Sequence, residues 1–515
     1  MNVEDARATG TPVTVIVLAA GEGTRMRSAA LPKTLHSFAG RSLLGHVVAA
    51  TSELGATTTA VVVGHRREQV VQHLAAIVPE AVPVVQDQQL GTGHAVRVAL
   101  EQLAARGPAV EGTVLVVPGD APLLTAGTLA DLLAEHRAQQ AAATMLTSVV
   151  PDPTGYGRIL RAGDDTVLGV VEHADASPEQ REIREVSALV YAFDAALLRA
   201  AVTELSTDNA QGEEYLPEVL SIFLRQGRTV RALLAPATEI AGVNDRVQLA
   251  AAHRAYNDRL LDQHMRNGVT VIDPATTWVD ADVVLAADAV LRPNVQLHGS
   301  TRIDADAVIG PDSTLTDTVV GAGSSLERTV ARQSSIGAGA TIGPFAYLRP
   351  GTVLADQVHI GTYVEIKGSD IGLGTKVPHL SYVGDASIGE HTNIGAATVF
   401  VNYDGVHKHR STVGNHVRTG ADNMFVAPVH VGDGAYTAAG TVVTNDVPPG
   451  ALGVGRGRQR NVTGWVRRRR AGTEADLAAQ AALAATGGTG AADSAGTEHE
   501  QHDPSGRSTT GSTEV

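Results

Sequence analysis

The chain has 515 residues, 40 Lys and Arg against 55 Asp and Glu for a formal charge of −15, and no cysteine. That length predicts two to four domains, and the absent cysteine excludes disulfide frameworks, thiolate metal sites, iron–sulfur clusters and cysteine nucleophiles. The acidic balance argues against a general nucleic-acid or anionic-membrane binder, and 3% aromatics with 54 Gly point to many small repeated units.

Residues 1–11 carry Glu4 and Asp5 and no apolar signal core, and no apolar run approaches the ~18 residues a membrane span needs. A cytoplasmic protein acting on small molecules, with no membrane and no nucleic acid, is the expectation. The first strand is Thr14–Leu18, followed by a Gly-rich turn, with further strands at Ala60–Gly64 and Val114–Val117. Helical stretches at Leu43–Leu54 and His94–Ala105 lie between them. Such alternation predicts a Rossmann-like parallel sheet with helices on both faces, reaching about Val243. Arg246–Met265 reads as one connecting helix.

From about Gly268 the period changes. Ile303, Ile309 and Leu315 stand six apart, as do Ile336, Ile342 and Leu348, then Ile360 and Ile366, then Ile388 and Ile394, most followed by Gly or Asp. An aliphatic residue at every sixth position is the hexapeptide signature of a parallel β-helix, three hexads to a coil. Breaks in the period at Lys376–Tyr382 and Val401–Arg410 predict loops thrown out of the coil. Past Trp465 comes Arg467–Arg470 and then an Ala/Gly/Ser/Thr/Glu stretch, expected to be disordered apart from a short helix at Glu474–Leu483. The fold class is thus α/β plus β, with domains 1–245, 246–267 (linker helix), 268–465 (β-helix) and 466–515 (tail).

The chemistry begins at Leu18-Ala19-Ala20-Gly21-Glu22-Gly23-Thr24-Arg25-Met26, with Pro32-Lys33 close behind. Gly21 and Gly23 let backbone N–H groups approach a phosphate or base, while Arg25 and Lys33 bring positive charge. Asp120, in Pro118-Gly119-Asp120-Ala121-Pro122, ends a strand where a metal ligand is well placed. The string resembles the nucleotidyltransferase signature of sugar-nucleotide pyrophosphorylases. That resemblance implies that Leu18, Ala19, Gly21, Gly23 and Lys33 bind UTP, and that Gln86, Gly91 and Thr92 contact its base. It places Gly157 and Glu172 on the amino sugar and Mg²⁺ on Asp120 and Asn244. An Asn-Ser/Thr-Gly triplet expected after Glu185-Val186 is here Ser187-Ala188-Leu189, leaving Ser187 one hydroxyl for the sugar and Leu189 narrowing the space. The uridylyl step joins two polyanions, so Arg25, Lys33 and Mg²⁺ act by alignment and charge neutralisation.

Within the β-helix, polar residues gather at the irregularities: Arg349, Lys367, His379-Leu380-Ser381-Tyr382, Asn393-Ile394-Gly395-Ala396 and Val401-Asn402-Tyr403-Asp404-Gly405. Arg349, Lys367 and Arg456 suit a sugar phosphate or coenzyme A phosphates, and a neutral His acts as general base near pH 7. With the N-terminal half, these strings resemble the bacterial bifunctional N-acetylglucosamine-1-phosphate uridyltransferase/glucosamine-1-phosphate acetyltransferases, in wording nearest to actinobacterial members, from Val13 to Trp465.

The resemblance implies a left-handed β-helix and a homotrimer whose acetyl sites lie between subunits. It makes His379 the base, with Arg349, Lys367, Tyr382 and Asn393 on the glucosamine phosphate and Asn402 orienting its amine. Ala396, Ala421, Ala439 and Arg456 then line the acetyl-CoA groove with Asn402, Tyr403 and Lys408, and Ala421 stands where Ser is usual. The product, UDP-N-acetylglucosamine, feeds cell-wall precursors. Two other readings are a single-activity pyrophosphorylase on a purely structural β-helix and an inactive sugar-nucleotide scaffold. A base beside three cations speaks against the first, and retention of Asp120 and Asn244 against the second.

Overall fold

The computed structural model describes residues 11–163, 166–457 and 459–486. It forms two compact units that divide between Gly455 and Arg456. Its amino-terminal sheet uses β1 (Val13–Leu18), β2 (Thr58–Val63), β3 (Val82–Val85), β4 (Thr113–Pro118), β5 (Ala143–Val149), β6 (Arg158–Arg161), β7 (Val167–Val171), β8 (Glu185–Asp194) and β9 (Val230–Leu234). The central order is β9-β5-β8-β4-β1-β2-β3, with β6 paired to β8 and β7 paired to β6.

Strand polarity alternates side chains between two cores: Val13, Val15 and Val17 pack on one face with Leu44, Val47 and Leu129. Ile16 points to the other, among Val96, Leu100 and Phe223. That period of two explains why β1 is apolar at every position but Thr14: both faces are covered by helices.

The sheet departs from the all-parallel expectation at β8 and in the β6–β7 hairpin. β8 runs antiparallel to both β4 and β5, while β1, β2, β3 and β4 pair in parallel. β8 is entered from the β6–β7 hairpin rather than through a crossover helix, and a parallel pair requires such a crossover. Its ladder with β5 breaks between Ser187 and Tyr191.

A 21-residue helix, Arg246–Arg266, follows; Asp245 caps it by accepting from the Gln248 N–H. The helix joins the sheet domain to the first coils. Phe38 stacks on His46 at 4.4 Å, Tyr256 meets His46 edge-on at 4.6 Å, and His253 lies 4.5 Å from Trp278. Buried Asn257 donates to Thr277 O and accepts from the Val279 N–H, both at 2.9 Å.

From Thr270 to Gly453 the chain winds a parallel β-helix. Its strands form three long sheets, in which each strand pairs in parallel with the one a coil further along. Val290 faces Val308, Val308 faces Ser325 and Ser325 faces Thr341, steps of 18, 17 and 16 residues. The predicted inward residues Ile303, Ile309, Leu315, Ile336, Ile342, Leu348, Ile360, Ile366, Ile388 and Ile394 are all buried in one continuous core. Phe400 stacks on Phe425 at 5.0 Å inside the later coils.

One expected loop is absent: Lys376–Tyr382 stays in the coil, with Ile360 facing Val377 and Thr362 facing His379. The period is broken there because Leu380 turns a corner with φ of 50° and points outward, so its aliphatic side chain falls out of the pattern. The second expected loop is real. Ile388 faces Val413, a step of 25 residues that accommodates a small hairpin closed by the Tyr403–Lys408 bridge.

The second unit contains helices Trp465–Arg469 and Glu474–Ala485, the latter capped by Thr473. The short helix expected at Glu474–Leu483 is present, its start set by the Thr473 cap and its length by an Ala-rich run, whereas Trp465–Arg469 is helical in a stretch expected to be disordered. The expectations for 1–10 and 487–515 lie outside the described residues. No described helix is long and apolar enough to cross a membrane.

Candidate active sites

The first site lies at the carboxyl ends of β1 and β4, which are tied together by Gly119 N–H donating to Leu18 O at 2.8 Å. A cavity of about 290 Å³ opens there, lined by Leu18, Ala19, Gly21, Lys33, Gln86, Gly91, Thr92 and Asp120. Eight of the residues expected on the nucleotide or metal therefore share one hollow. Leu189, expected to narrow the space, lines it too, with Gln89 from the base-contacting string and Glu213; Glu213 lies in a string without a motif of its own, so nothing in the sequence pointed to it.

Four polar groups converge at the phosphate end. Lys33 Nζ ion-pairs with Asp120 and donates to Asn244 Oδ1 at 2.9 Å, while Arg25 Nη2 donates to the same oxygen at 2.9 Å. The Val243 N–H donates to Asp120 O at 2.8 Å, which fixes Asn244 beside the carboxylate despite their separation in sequence. Gly23 makes this possible: it adopts φ of 63°, and a Cβ there would lie 2.4 Å from Lys33 Cβ. The base-binding segment is clamped from below, since Gly93 N–H donates to Glu214 O, Leu216 N–H to Thr92 Oγ1, and Arg97 bridges to the Glu214 carboxylate at 2.7 Å. Gln86 Nε2 donates to Gly91 O at 3.2 Å.

The far end is carboxylate-rich. Gly157 leaves room for Glu172, whose Oε1 lies 3.4 Å from where a Gly157 Cβ would be. Burial, and then Asp175, raise the Glu172 carboxyl above its ordinary value, with Arg158 opposing. Burial and the carboxylates of Asp175, Glu172 and Glu213 push the Tyr215 hydroxyl up to about 12. Ser187 is buried and faces inward: its Oγ shares a 2.9 Å hydrogen bond with Tyr191 OH and accepts from the Leu189 N–H at 3.3 Å.

The second site spans successive coils of the β-helix. Tyr347, Glu365 and Tyr382 stand in register, as do Lys367 and Gly384. Arg349 Nη1 pairs with Glu365 at 2.8 Å and Lys367 Nζ with Asp385 at 2.9 Å. Asn402 Nδ2 donates to the same Asp385 carboxylate at 2.5 Å and to Tyr382 OH at 3.4 Å.

Burial acts to raise the Asp385 carboxyl, yet the Lys367 ammonium and Asn402 amide outweigh it and hold it below the usual carboxylate range. Lys367 is raised in turn by Asp385. Arg349 and Lys367, expected on the sugar phosphate, thus each carry a carboxylate, and sequence reasoning missed both Glu365 and Asp385 as their partners. Each carboxylate lies about one coil along the chain from its cation, Glu365 from Arg349 and Asp385 from Lys367, so no local pattern pairs them.

His379 sits one corner away, on the adjoining sheet, exposed, and its ring makes no hydrogen bond or ion pair with the described residues. Asn393 lies on that same sheet, bridged to Lys376. Ala396, Ala421 and Ala439 stack coil upon coil: Asp422 N–H donates to Ala396 O at 2.7 Å and Gly440 N–H to Ala421 O at 2.9 Å. Their small side chains leave a shallow groove wall. Tyr403 is exposed on the hairpin, its OH donating to Gly405 O at 2.6 Å, with Lys408 opposite. Arg456 opens the second compact unit.

A nucleotide-binding sheet domain followed by a β-helix that carries a histidine-bearing polar corner defines a transferase with two separate sites. Residues 15–163 match the MobA-like NTP transferase domain. Bifunctional protein GlmU of Streptomyces avermitilis is 58% identical over 473 residues, 92% of this chain and 97% of its own length. The GlmU proteins of Nocardia farcinica and Thermobifida fusca are 58% and 57% identical over 91% and 92% of this chain, and over 95% and 97% of their own lengths. The chain belongs to the GlmU family. It is a bifunctional enzyme of UDP-N-acetylglucosamine synthesis, an acetyltransferase and a uridylyltransferase.

Proposed function

We propose that the first site binds UTP and N-acetylglucosamine 1-phosphate, and that the second passes acetyl from acetyl-CoA to glucosamine 1-phosphate. The convergence of Arg25, Lys33, Asp120 and Asn244 carries the first assignment. A sugar phosphate oxygen forms a bond to the α-phosphorus of UTP and pyrophosphate leaves. Lys33 and Arg25 hold the phosphates against their mutual repulsion, Gln86 and Gly91-Thr92 orient the base, and Gly157 and Glu172 meet the sugar.

The donor set suits Mg²⁺: one carboxylate and one carboxamide oxygen already converge on a single cation, the Lys33 ammonium. No cluster of three or more His, Cys, Asp or Glu is placed to hold a metal among the described residues, as expected when substrate phosphates complete the shell. When bound, the ion neutralises charge building on the phosphates.

In the second site His379 takes the proton as the glucosamine amine attacks the thioester carbonyl, and coenzyme A leaves as the thiol. Arg349, Lys367, Tyr382 and Asn393 hold the sugar phosphate, and Asn402 orients the amine. Ala396, Ala421 and Ala439 leave space for coenzyme A beside Tyr403 and Lys408, and the Arg456 guanidinium suits its phosphates. Because His379 stands exposed at a corner, this half-site favours completion by a second copy, and a homotrimer is the assembly we assign. The outward column Phe345, Tyr363 and Leu380, with Phe345 stacked on Tyr363 at 5.2 Å, supplies an apolar face beside His379 for that contact. A cytoplasmic location follows from the same reading.

The test is a pair of assays on one sample: coenzyme A release from acetyl-CoA and glucosamine 1-phosphate, and pyrophosphate release from UTP and N-acetylglucosamine 1-phosphate with Mg²⁺. Wild type must perform both. Pyrophosphate release without coenzyme A release would leave the β-helix a scaffold.

A further inference from the structure

Arg158 opens β6 directly after Gly157, with 1% of its surface exposed. A guanidinium keeps its charge at every accessible pH, and a charge taken out of water is normally paired with a carboxylate. Arg161, on the same strand, is paired in that way with Glu185 at 2.7 Å. Among the described residues no carboxylate pairs with Arg158. Its Nη1 donates to Tyr156 O, its Nη2 donates to His173 Nδ1 at 3.2 Å and to Arg181 O at 3.4 Å, and its Nε has no partner. A buried cation committed to loop groups calls for a reason beyond packing.

Two of those partners bracket the residues assigned to the amino sugar: Tyr156 immediately precedes Gly157, and His173 immediately follows Glu172. The backbone of Arg158 faces Val171 on β7 and Val186 on β8, and Gly157 O accepts from the Ser187 N–H at 2.9 Å. Little slack is left between the bracketed pair. A Cβ on Gly157 would lie 2.8 Å from Val170 Cγ1 and 3.4 Å from Glu172 Oε1. The charges are arranged about the same point. Glu172 is faced by Asp175 from its own loop, by Glu213 and Tyr215 from the segment before the Glu218–Arg225 helix, by Tyr191 from β8 and by Arg158 from β6. Burial first, then Asp175 and Glu213, push its carboxyl up, and Arg158 opposes them.

We infer that Arg158 is a positioning residue of the uridylyl site, which from behind the cavity holds Gly157 and Glu172 at the separation the acceptor sugar enters and sets a fixed positive charge behind the Glu172 carboxylate. This rests on the proposed contact of those two residues with the sugar. Arg158 itself touches no substrate. The planar fork of a guanidinium donates in several directions at once, so a single side chain reaches both loops, whereas the ammonium of a lysine supplies the charge without that geometry. With no carboxylate of its own, the charge of Arg158 is left to act on Glu172.

The experiment compares full-length wild type with Arg158→Lys and Arg158→Met, following pyrophosphate release from UTP and N-acetylglucosamine 1-phosphate across pH. In Arg158→Lys the KM for the sugar phosphate is expected to rise about tenfold, with the KM for UTP unchanged and the acid limb of kcat/KM where wild type has it. In Arg158→Met the same KM rises and the acid limb also moves to higher pH, because Glu172 has lost the charge that favours its ionised form. Should Arg158→Met not fold, Arg158→Lys decides alone. A KM for the sugar phosphate that rises no more than the KM for UTP overturns the inference, as does an acid limb unmoved in a folded Arg158→Met: Arg158 is then a structural residue only. Wild type that releases no pyrophosphate overturns the proposed function and this inference with it.

Discussion

The two sites are built on opposite plans. The uridylyl site is a hollow within one domain, where residues from the ends of separate strands and loops close on each other and nearly every polar group already has a partner. The acetyl site is a strip on the outside of a solenoid. Its cations are pre-paired with Glu365 and Asp385, yet its base stands alone at a corner. A doubly covered sheet makes a cavity by itself, whereas a solenoid presents columns and needs something laid against them to make an enclosed site.

The sharpest way to break that contrast is to remove one key group from each region. Asp120→Ala is expected to abolish pyrophosphate release and spare coenzyme A release. His379→Ala should lower coenzyme A release by about 10²- to 10⁴-fold and leave pyrophosphate release intact. Cross-effects in either direction would show the two regions to be coupled.

Gly23→Ala probes the closed hollow. The added methyl runs into Lys33 Cβ, and a misplaced ammonium should reduce uridylyl turnover by about 10²-fold, with acetyl transfer unaffected. Asp385→Asn probes the open strip. Lys367 loses its counter-charge and Asn402 a charged acceptor, so the KM for glucosamine 1-phosphate should shift by about tenfold, measured beside an unchanged uridylyl KM.

The mildest perturbation is pH. His46 and His136 are buried in the sheet domain and lowered to about 4, in each case by burial first. Unfolded, both would take a proton near 6.5. Between 6.5 and 4 the unfolded state binds more protons, so stability falls as pH drops through that window and is fully present above it. At pH 5.5 the two histidines together should lower the stability of the sheet domain by on the order of 2–3 kcal/mol. Hydrogen exchange is expected to report faster exchange in β1, β2 and β4 while the β-helix strands from Ile360 to Ile388 hold.

The same contrast decides what could be seen in the sequence. Hexads are a one-dimensional signal, so Ile303, Ile336 or Ile388 announce the β-helix without any knowledge of distant contacts. The glycines and cations after β1 are likewise local. The antiparallel course of β8 depends on which strand the hairpin meets, and no local pattern carries that. Leu380 misled the reading at Lys376–Tyr382 because an outward aliphatic at a corner imitates a loss of period. Asp385 went unnoticed because its meaning lies in Lys367 and Asn402, each a coil away. Ser187 gives up its hydroxyl to Tyr191, a partner on the same strand that only the bulge brings within reach.

The register of the coils has a further consequence. Strands in a sheet repeat at about 4.8 Å, so columns such as Tyr347, Glu365 and Tyr382 are graduations on a ruler. Excising a whole coil between Arg349 and His379 would leave the winding intact and bring the sugar phosphate site one graduation nearer the base. Lengthening the hairpin at Tyr403–Lys408 would move no graduation at all. Along the rod, distance between functional groups changes only in whole steps, whereas at its corners the chain is free to vary.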